Sequence, residues 1–171
     1  IFEFFRVASD FWRGRFKALV LSSDPEERLR ELAKGWPQAG EDMICRFVDH
    51  KDVPRYLGTA DFALTPVKPL PIKRYCAPIK NGEYWAMGLP VVSTAGIASD
   101  SDLIVERRIG AVLPSLDDES YRGALTQVSH LLESEDRESL RARIRAVAED
   151  TRSMAVAEAV YDRVYGRPVD E

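Results

Sequence analysis

Residues 75–97, YCAPIKNGEYWAMGLPVVSTAGI, decide how the chain is read. Pro78 has no N–H to lose and fixes its own φ, so it suits the start of a helix and holds the residue before it extended. Residues 79–88 then read as a helix stopped by Gly88, and residues 89–94 as a short buried strand rich in valine. A lysine, an asparagine, a glycine and a glutamate gather where that helix begins. The rest of the chain decides whether they form a ligand site or only finish a helix.

Outward from this unit the same alternation repeats. Ile1, Phe4, Phe5, Ala8, Phe11 and Trp12 fall on one face of an opening helix, whose aromatic stripe predicts packing against a sheet. FKALVLSS reads as a strand, and Asp24 followed by Pro25 as an N-cap and first turn of the helix PEERLRELAKG. DMICRFV and DFALTPV read as strands on either side of a short helix in DVPRYLGTA. Beyond the central unit, DSDLIVERR predicts a short helix and GAVLP a strand. Ser115 with Asp118 resembles a capping box opening a helix striped by Tyr121, Ala124, Leu125, Val128, Leu131 and Leu132. A charged helix is expected through Arg145, and an amphipathic helix in MAVAEAVYDRVYG. Short apolar strands alternating with helices predict an α/β fold: a Rossmann-like, doubly wound parallel sheet with helices on both faces. In such sheets ligands bind beyond the carboxyl ends of the strands, which is where the helix at Pro78 starts.

Composition narrows the classes. With 171 residues, 45% apolar and 30% charged, the chain suits one soluble domain spanning residues 1–171. A formal net charge of −4 argues against a general nucleic-acid surface. Cys45 and Cys76, one in a strand and one in a loop, do not suggest a disulfide, which fits a cytoplasmic setting. Two cysteines and two histidines without ligand spacing predict no metal site. No apolar run reaches the roughly 18 residues of a membrane span, and no signal peptide is visible. The chain opens at Ile1 in mid-pattern, so a piece of a longer protein is expected.

Residues 66–78 stand apart. Four prolines fall in this stretch with Lys68, Lys73 and Arg74, and no acid lies between Asp61 and Glu83, so a long basic loop is expected. It leads straight into the corner at Lys80. There the unpaired first-turn N–H groups carry the positive end of the helix dipole and suit an anion. Lys80 adds a full positive charge that such an anion would meet. Gly82 costs about 1 kcal/mol against alanine within a helix, and permits close approach of a ligand or of neighbouring backbone. Glu83 offers two acceptor oxygens, enough for both hydroxyls of a ribose diol. Phosphate on Lys80 and the amides, with ribose on Glu83, is the polar outline of a nucleotide. The same residues also describe a well-finished helix with a solvated lysine, and both readings stand at this level.

At these residues the sequence resembles the donor-binding segment of glycosyltransferase family 4 and its GT-B relatives, notably those that build bacterial surface polysaccharides. The family's pattern is met by Pro78, Lys80, Glu83, Tyr84, Ala86, Gly88, Pro90, Val91, Val92 and Thr94, and the likeness runs in order from about Phe16 to Leu132. The resemblance implies the C-terminal, donor-binding half of a GT-B enzyme, with the first strand and the acceptor-binding N-terminal domain lying ahead of Ile1. It implies Glu83 on the ribose, and Lys80 as the catalytic cation that stabilises the leaving diphosphate. Pro78, Asn81 and Gly82 would lie by the diphosphate or sugar, and Thr94 and Gly96 would border the same cleft. It places a nucleobase near residues 48–51, where His50 stands, although His50 reads more readily as an ordinary loop residue than as a contact to the base or ribose. Tyr75 occupies the position of an earlier family glutamate that contacts the transferred sugar.

The implied reaction is transfer of a sugar from a nucleoside diphosphate to an acceptor hydroxyl, with retention, in polysaccharide or glycolipid synthesis. The donor is then a substrate, and neither metal nor cofactor is expected. The implied partners are the nucleotide sugar, the N-terminal domain and a carbohydrate or lipid-linked acceptor, with a peripheral position at the inner membrane face as one setting. Two other readings remain: a GT-B-like sugar-nucleotide epimerase, and a non-catalytic α/β module that binds a nucleotide or a partner protein.

Overall fold

The computed structural model describes residues 1–166. Helix α1 (Phe2–Trp12) leads into strand β1 (Ala18–Leu21). Helices α2 (Glu26–Leu32) and α3 (Ala39–Asp42) precede β2 (Met43–Arg46), and α4 (Val53–Leu57) precedes β3 (Ala63–Thr65). Helix α5 (Ile79–Ala86), strand β4 (Val91–Thr94), helix α6 (Asp100–Arg107) and strand β5 (Gly110–Leu113) form the next units. The described chain closes with α7 (Asp118–Ser134), α8 (Arg137–Arg152) and α9 (Met154–Tyr165).

Every strand pairing is parallel, as the alternation of elements predicts. The order is β3–β4–β5 in one ladder and β1–β2 in a second, so the expected sheet is divided into two hydrogen-bonded parts. The pleat distributes neighbouring residues to opposite faces. Val92 of β4 packs in a core with α1, α7, Ala18 of β1, and Met43 and Cys45 of β2. Its neighbour Val91 packs in a second core with Trp85 of α5, Ile104 of α6, and Leu140 and Ile144 of α8. Helices thus cover both faces, and all four residues of β4 are buried. The α/β, doubly wound reading holds. The first core also draws on both ladders, so the two parts share one interior.

Aromatic residues dominate the core around β1 and β2. Phe4 meets Tyr121 edge-on with ring centroids 5.4 Å apart, and Phe5 packs on Trp36 and Phe16. The stripe read along α1 is therefore a core face from Phe4 to Trp12, while Ile1 at its start is exposed. Around β4 and β5 the core is mainly aliphatic and closely fitted. Gly88 takes φ 72° just past α5, and a Cβ there would lie 2.7 Å from the Arg141 carbonyl oxygen on α8. Only glycine permits both that backbone turn and that approach.

Several local expectations shift. Helix α2 begins at Glu26 with Pro25 in the cap position; Asp24 is no cap, and instead accepts from Arg28 at 3.1 Å. The capping box at Ser115 and Asp118 is not formed. Asp117 caps α7 by accepting from the Ser120 N–H at 2.8 Å, while Asp118 takes the Arg6 guanidinium of α1 at 2.6 Å. Helix α8 runs on through Arg152 rather than stopping at Arg145, because Ile144, Val147 and Ala148 continue its buried stripe. The loop at 66–78 contains a 3-10 turn, Pro71–Tyr75. Helix α9 forms as expected, yet none of its residues is buried.

Candidate functional site

The carboxyl ends of β3, β4 and β5 lie along one edge, since Thr65 pairs with Ser93 and Thr94 with Leu113. Beyond that edge the chain turns back into α5 and α6, whose first turns meet. The Asn81 amide nitrogen on α5 donates to Asp100 Oδ2 on α6 at 2.8 Å, and both side chains are completely buried. Arg152, the last residue of α8, donates to the other carboxylate oxygen of Asp100. Its guanidinium lies over the ring of Trp85, 5.6 Å from the centroid. A buried carboxylate is thereby met by a cation and an amide, as a charge removed from water requires.

The residues singled out at the start of α5 divide by direction. Lys80 is exposed and Glu83 half-buried, and they pair with each other, Nζ to Oε2, at 3.2 Å across one helical turn. Such an exposed pair contributes at most about 0.5 kcal/mol, so little holds it closed against a ligand with stronger bonds to offer. Asn81 faces inward, and its Oδ1 is buried with no partner among the described residues. Gly82 lies against the aliphatic stem of Arg152, and a Cβ there would be 3.6 Å from it. What approaches Gly82 is thus a side chain of α8. Pro78 occupies the N-cap position of α5 in extended conformation, which leaves the first-turn amides uncapped by any side chain. Burial against the sheet pushes the neighbouring Tyr84 phenol above its ordinary value.

Thr94 ends β4 and is fully buried, with its hydroxyl unpaired among the described residues. Gly96 is exposed two residues on, in the turn that leads to α6, with φ 71° and open space where a Cβ would stand. The structure therefore gathers Pro78, Lys80, Asn81, Gly82 and Glu83 at one helix start and sets the Thr94–Gly96 turn on the same strand edge. His50 belongs elsewhere. It is exposed in the 3-10 turn that follows β2, in the other ladder. Beside that turn is an open groove of about 680 Å³ lined by Phe47, Val48, Asp49, Asp52 and Tyr56. Tyr75 and the basic loop are exposed, with the Arg74 guanidinium 5.3 Å from the Tyr75 ring centroid.

Asp100 and Arg152 were not marked by the sequence. Asp100 shares its helical turn with Asp102, and nothing local distinguishes the buried acid from the exposed one. Arg152 lies 52 residues from its partner. Only the end of the α8 stripe, which brings Arg152 to the start of α5, could have pointed to it.

The family model of glycosyl transferases group 1 matches residues 4–150. The chain belongs to that family. Among solved structures it is similar to WaaG, described as a glycosyltransferase involved in lipopolysaccharide biosynthesis, with a TM-score of 0.67 and 20% identity over 97% of this chain. At that identity the likeness is one of fold, and the chain spans 43% of the WaaG chain. No curated protein matches the sequence significantly. Among the described residues no cluster of His, Cys, Asp or Glu suits a metal ion, and no helix is long and apolar enough to cross a membrane.

Proposed function

We propose that the chain binds the nucleoside-diphosphate sugar of a group 1 glycosyltransferase at the start of α5, and supports transfer of the sugar to an acceptor hydroxyl with retention. The observation that carries this reading is the exposed Lys80–Glu83 pair beside uncapped helix amides, at the carboxyl edge of a parallel sheet. In the bound state the pair opens. Lys80 turns to the diphosphate together with the first-turn amides, and Glu83 accepts from the two ribose hydroxyls. Both changes exchange a weak exposed contact for charge-assisted bonds in a drier site.

In transfer, negative charge grows on the diphosphate as the bond to the anomeric carbon breaks. Once the donor is bound, the amides and the lysine turned to that position stabilise the leaving group without further rearrangement. The groove beside Phe47 and Tyr56, formed by the segment that also carries His50, offers aromatic and backbone surface for the base. Tyr75, exposed in the preceding loop, would face the transferred sugar. The acceptor-binding half is assigned to a second domain of the same protein, and a lipid-linked saccharide is the acceptor we favour. WaaG's role in lipopolysaccharide biosynthesis is in keeping with that choice.

Calorimetric titration with UDP, GDP and ADP tests the reading. One nucleotide should bind, and Lys80→Ala and Glu83→Ala should each weaken it by about tenfold, the loss of one charge-assisted bond. A folded chain that binds none of the three, or binds one with both variants unaffected, overturns it.

A further inference from the structure

We infer that Arg152 and Asp100 are positioning residues for the donor corner, holding the start of α5 at the angle from which Lys80 and Glu83 reach a nucleotide. The inference rests on the donor reading above and extends it to residues that never touch the ligand. Asp100 is completely buried and opens α6; its two carboxylate oxygens are divided between Asn81 of α5 and Arg152 of α8. One carboxylate therefore fastens three helices at the point where two of them begin. Arg152 adds two further contacts to α5: its guanidinium over Trp85, and its stem along Gly82. Asn81, Gly82 and Trp85 alternate with Lys80 and Glu83 within one and a half turns. Whatever fixes the inward residues also fixes the rotation of the outward ones.

Removing Arg152 leaves the Asp100 carboxylate buried with only an amide to meet it. That state is relieved by drawing Asp100 and α6 toward solvent, or by releasing Asn81. Either movement unseats the first turn of α5, where the amides and Lys80 must converge on one anion. Orientation of charged groups within a fraction of an ångström governs such binding.

A second arginine on the same helix provides the control. Arg143 donates to Glu135 and to the carbonyls of Arg107 and Arg108, closing the far end of α6. Like Arg152 it is partly exposed and braces α6, but it lies away from the start of α5. A purely structural role would make the two arginines equivalent for ligand binding.

The test is nucleotide titration of the intact chain, with melting temperatures and circular dichroism to establish the folded fraction of each variant. Arg152→Ala should weaken the bound nucleotide by about tenfold, while Arg143→Ala lowers the melting temperature and keeps affinity within about twofold. Arg152→Lys keeps the charge but loses the planar stack on Trp85, and should fall between, at about threefold weaker. If Arg152→Ala does not fold, the lysine variant carries the comparison. Affinity unchanged in Arg152→Lys and equal in the two alanine variants overturns the positioning role while leaving the donor site intact. A wild-type chain that binds no nucleotide, or a Lys80→Ala variant that binds normally, overturns the donor reading and this inference with it.

Discussion

Each half of the sheet buries one aspartate, and the two are fastened at opposite ends of their strands. Asp42 ends α3 at the amino end of β2, where Lys17, just ahead of β1, reaches it at 2.7 Å and Ser9 of α1 donates at 2.9 Å. Asp100 stands past the carboxyl end of β4, between Asn81 and Arg152. Both satisfy the same need, a buried carboxylate met by a cation and a neutral donor. They differ in what lies beyond them. Behind Asp42 is the aromatic core of Phe4, Phe5 and Trp36, and its cation projects into solvent. Beyond Asp100 lie the uncapped amides of α5 and the exposed Lys80–Glu83 pair. A fastening at the amino ends serves stability alone, whereas one at the carboxyl ends also sets the geometry of the candidate site. Ligands bind at carboxyl ends in folds of this kind, so the asymmetry is physical.

That contrast is broken most directly at Gly88, which lies at the amino end of β4 although it belongs to the same half as Asp100. Gly88→Ala forces a side chain into a left-handed turn and against the Arg141 backbone at 2.7 Å. A loss of about 2–4 kcal/mol is expected in urea unfolding, from backbone strain and overpacking together. If the amino ends serve stability alone, the folded fraction of this variant binds nucleotide as the wild type does. A proportionate fall in affinity would erase the distinction between the two ends.

Asp42 sharpens the contrast through pH. The hydrogen bond from Lys17 holds its carboxyl below the ordinary value of 3.8, outweighing the opposing effect of burial, and Ser9 adds to the lowering. Because the folded value is lowered, the contribution is fully present above about 4 and disappears as the pH falls through the folded value. The Lys17 partner is half exposed, so solvent screening limits the worth of the pair. Asp42→Asn should therefore cost about 1 kcal/mol at neutral pH. Its urea midpoint should decline less than that of the wild type between pH 5 and pH 3, with nucleotide affinity at pH 7 unchanged.

The sequence displayed what depends on periodicity and hid what depends on distance. The α1 stripe from Phe4 onward, the valines of β4 and the stripe of α7 each follow a spacing that one local window contains, and all lie in or against a core in the structure, while Ile1 is exposed. Lys80 and Glu83 were legible because charge and glycine are unusual at a helix start. The inward direction of Asn81 was not, since its partner Asp100 lies nineteen residues away across a strand. The division of the sheet also escaped, because an apolar run such as ALVL shows a strand without showing which edge will be paired. Helix α9 makes the same point: its amphipathic pattern predicted a helix correctly, while the face was left without a burial partner among the described residues.

The smallest expected change tests the division of α5 into inward and outward residues. Gly82 carries no φ constraint, and an added Cβ would make ordinary contact with the Arg152 stem at 3.6 Å. Alanine there should therefore stabilise the fold, by up to about 1 kcal/mol from helix propensity. The methyl group faces α8 and not the place where a diphosphate would meet Lys80 and the amides. Nucleotide affinity should then stay within about twofold of the wild type while the urea midpoint rises. A larger fall in affinity, with the fold more stable, would mean that the ligand meets α5 on its Arg152 side, and would break the division on which the positioning role of Arg152 rests.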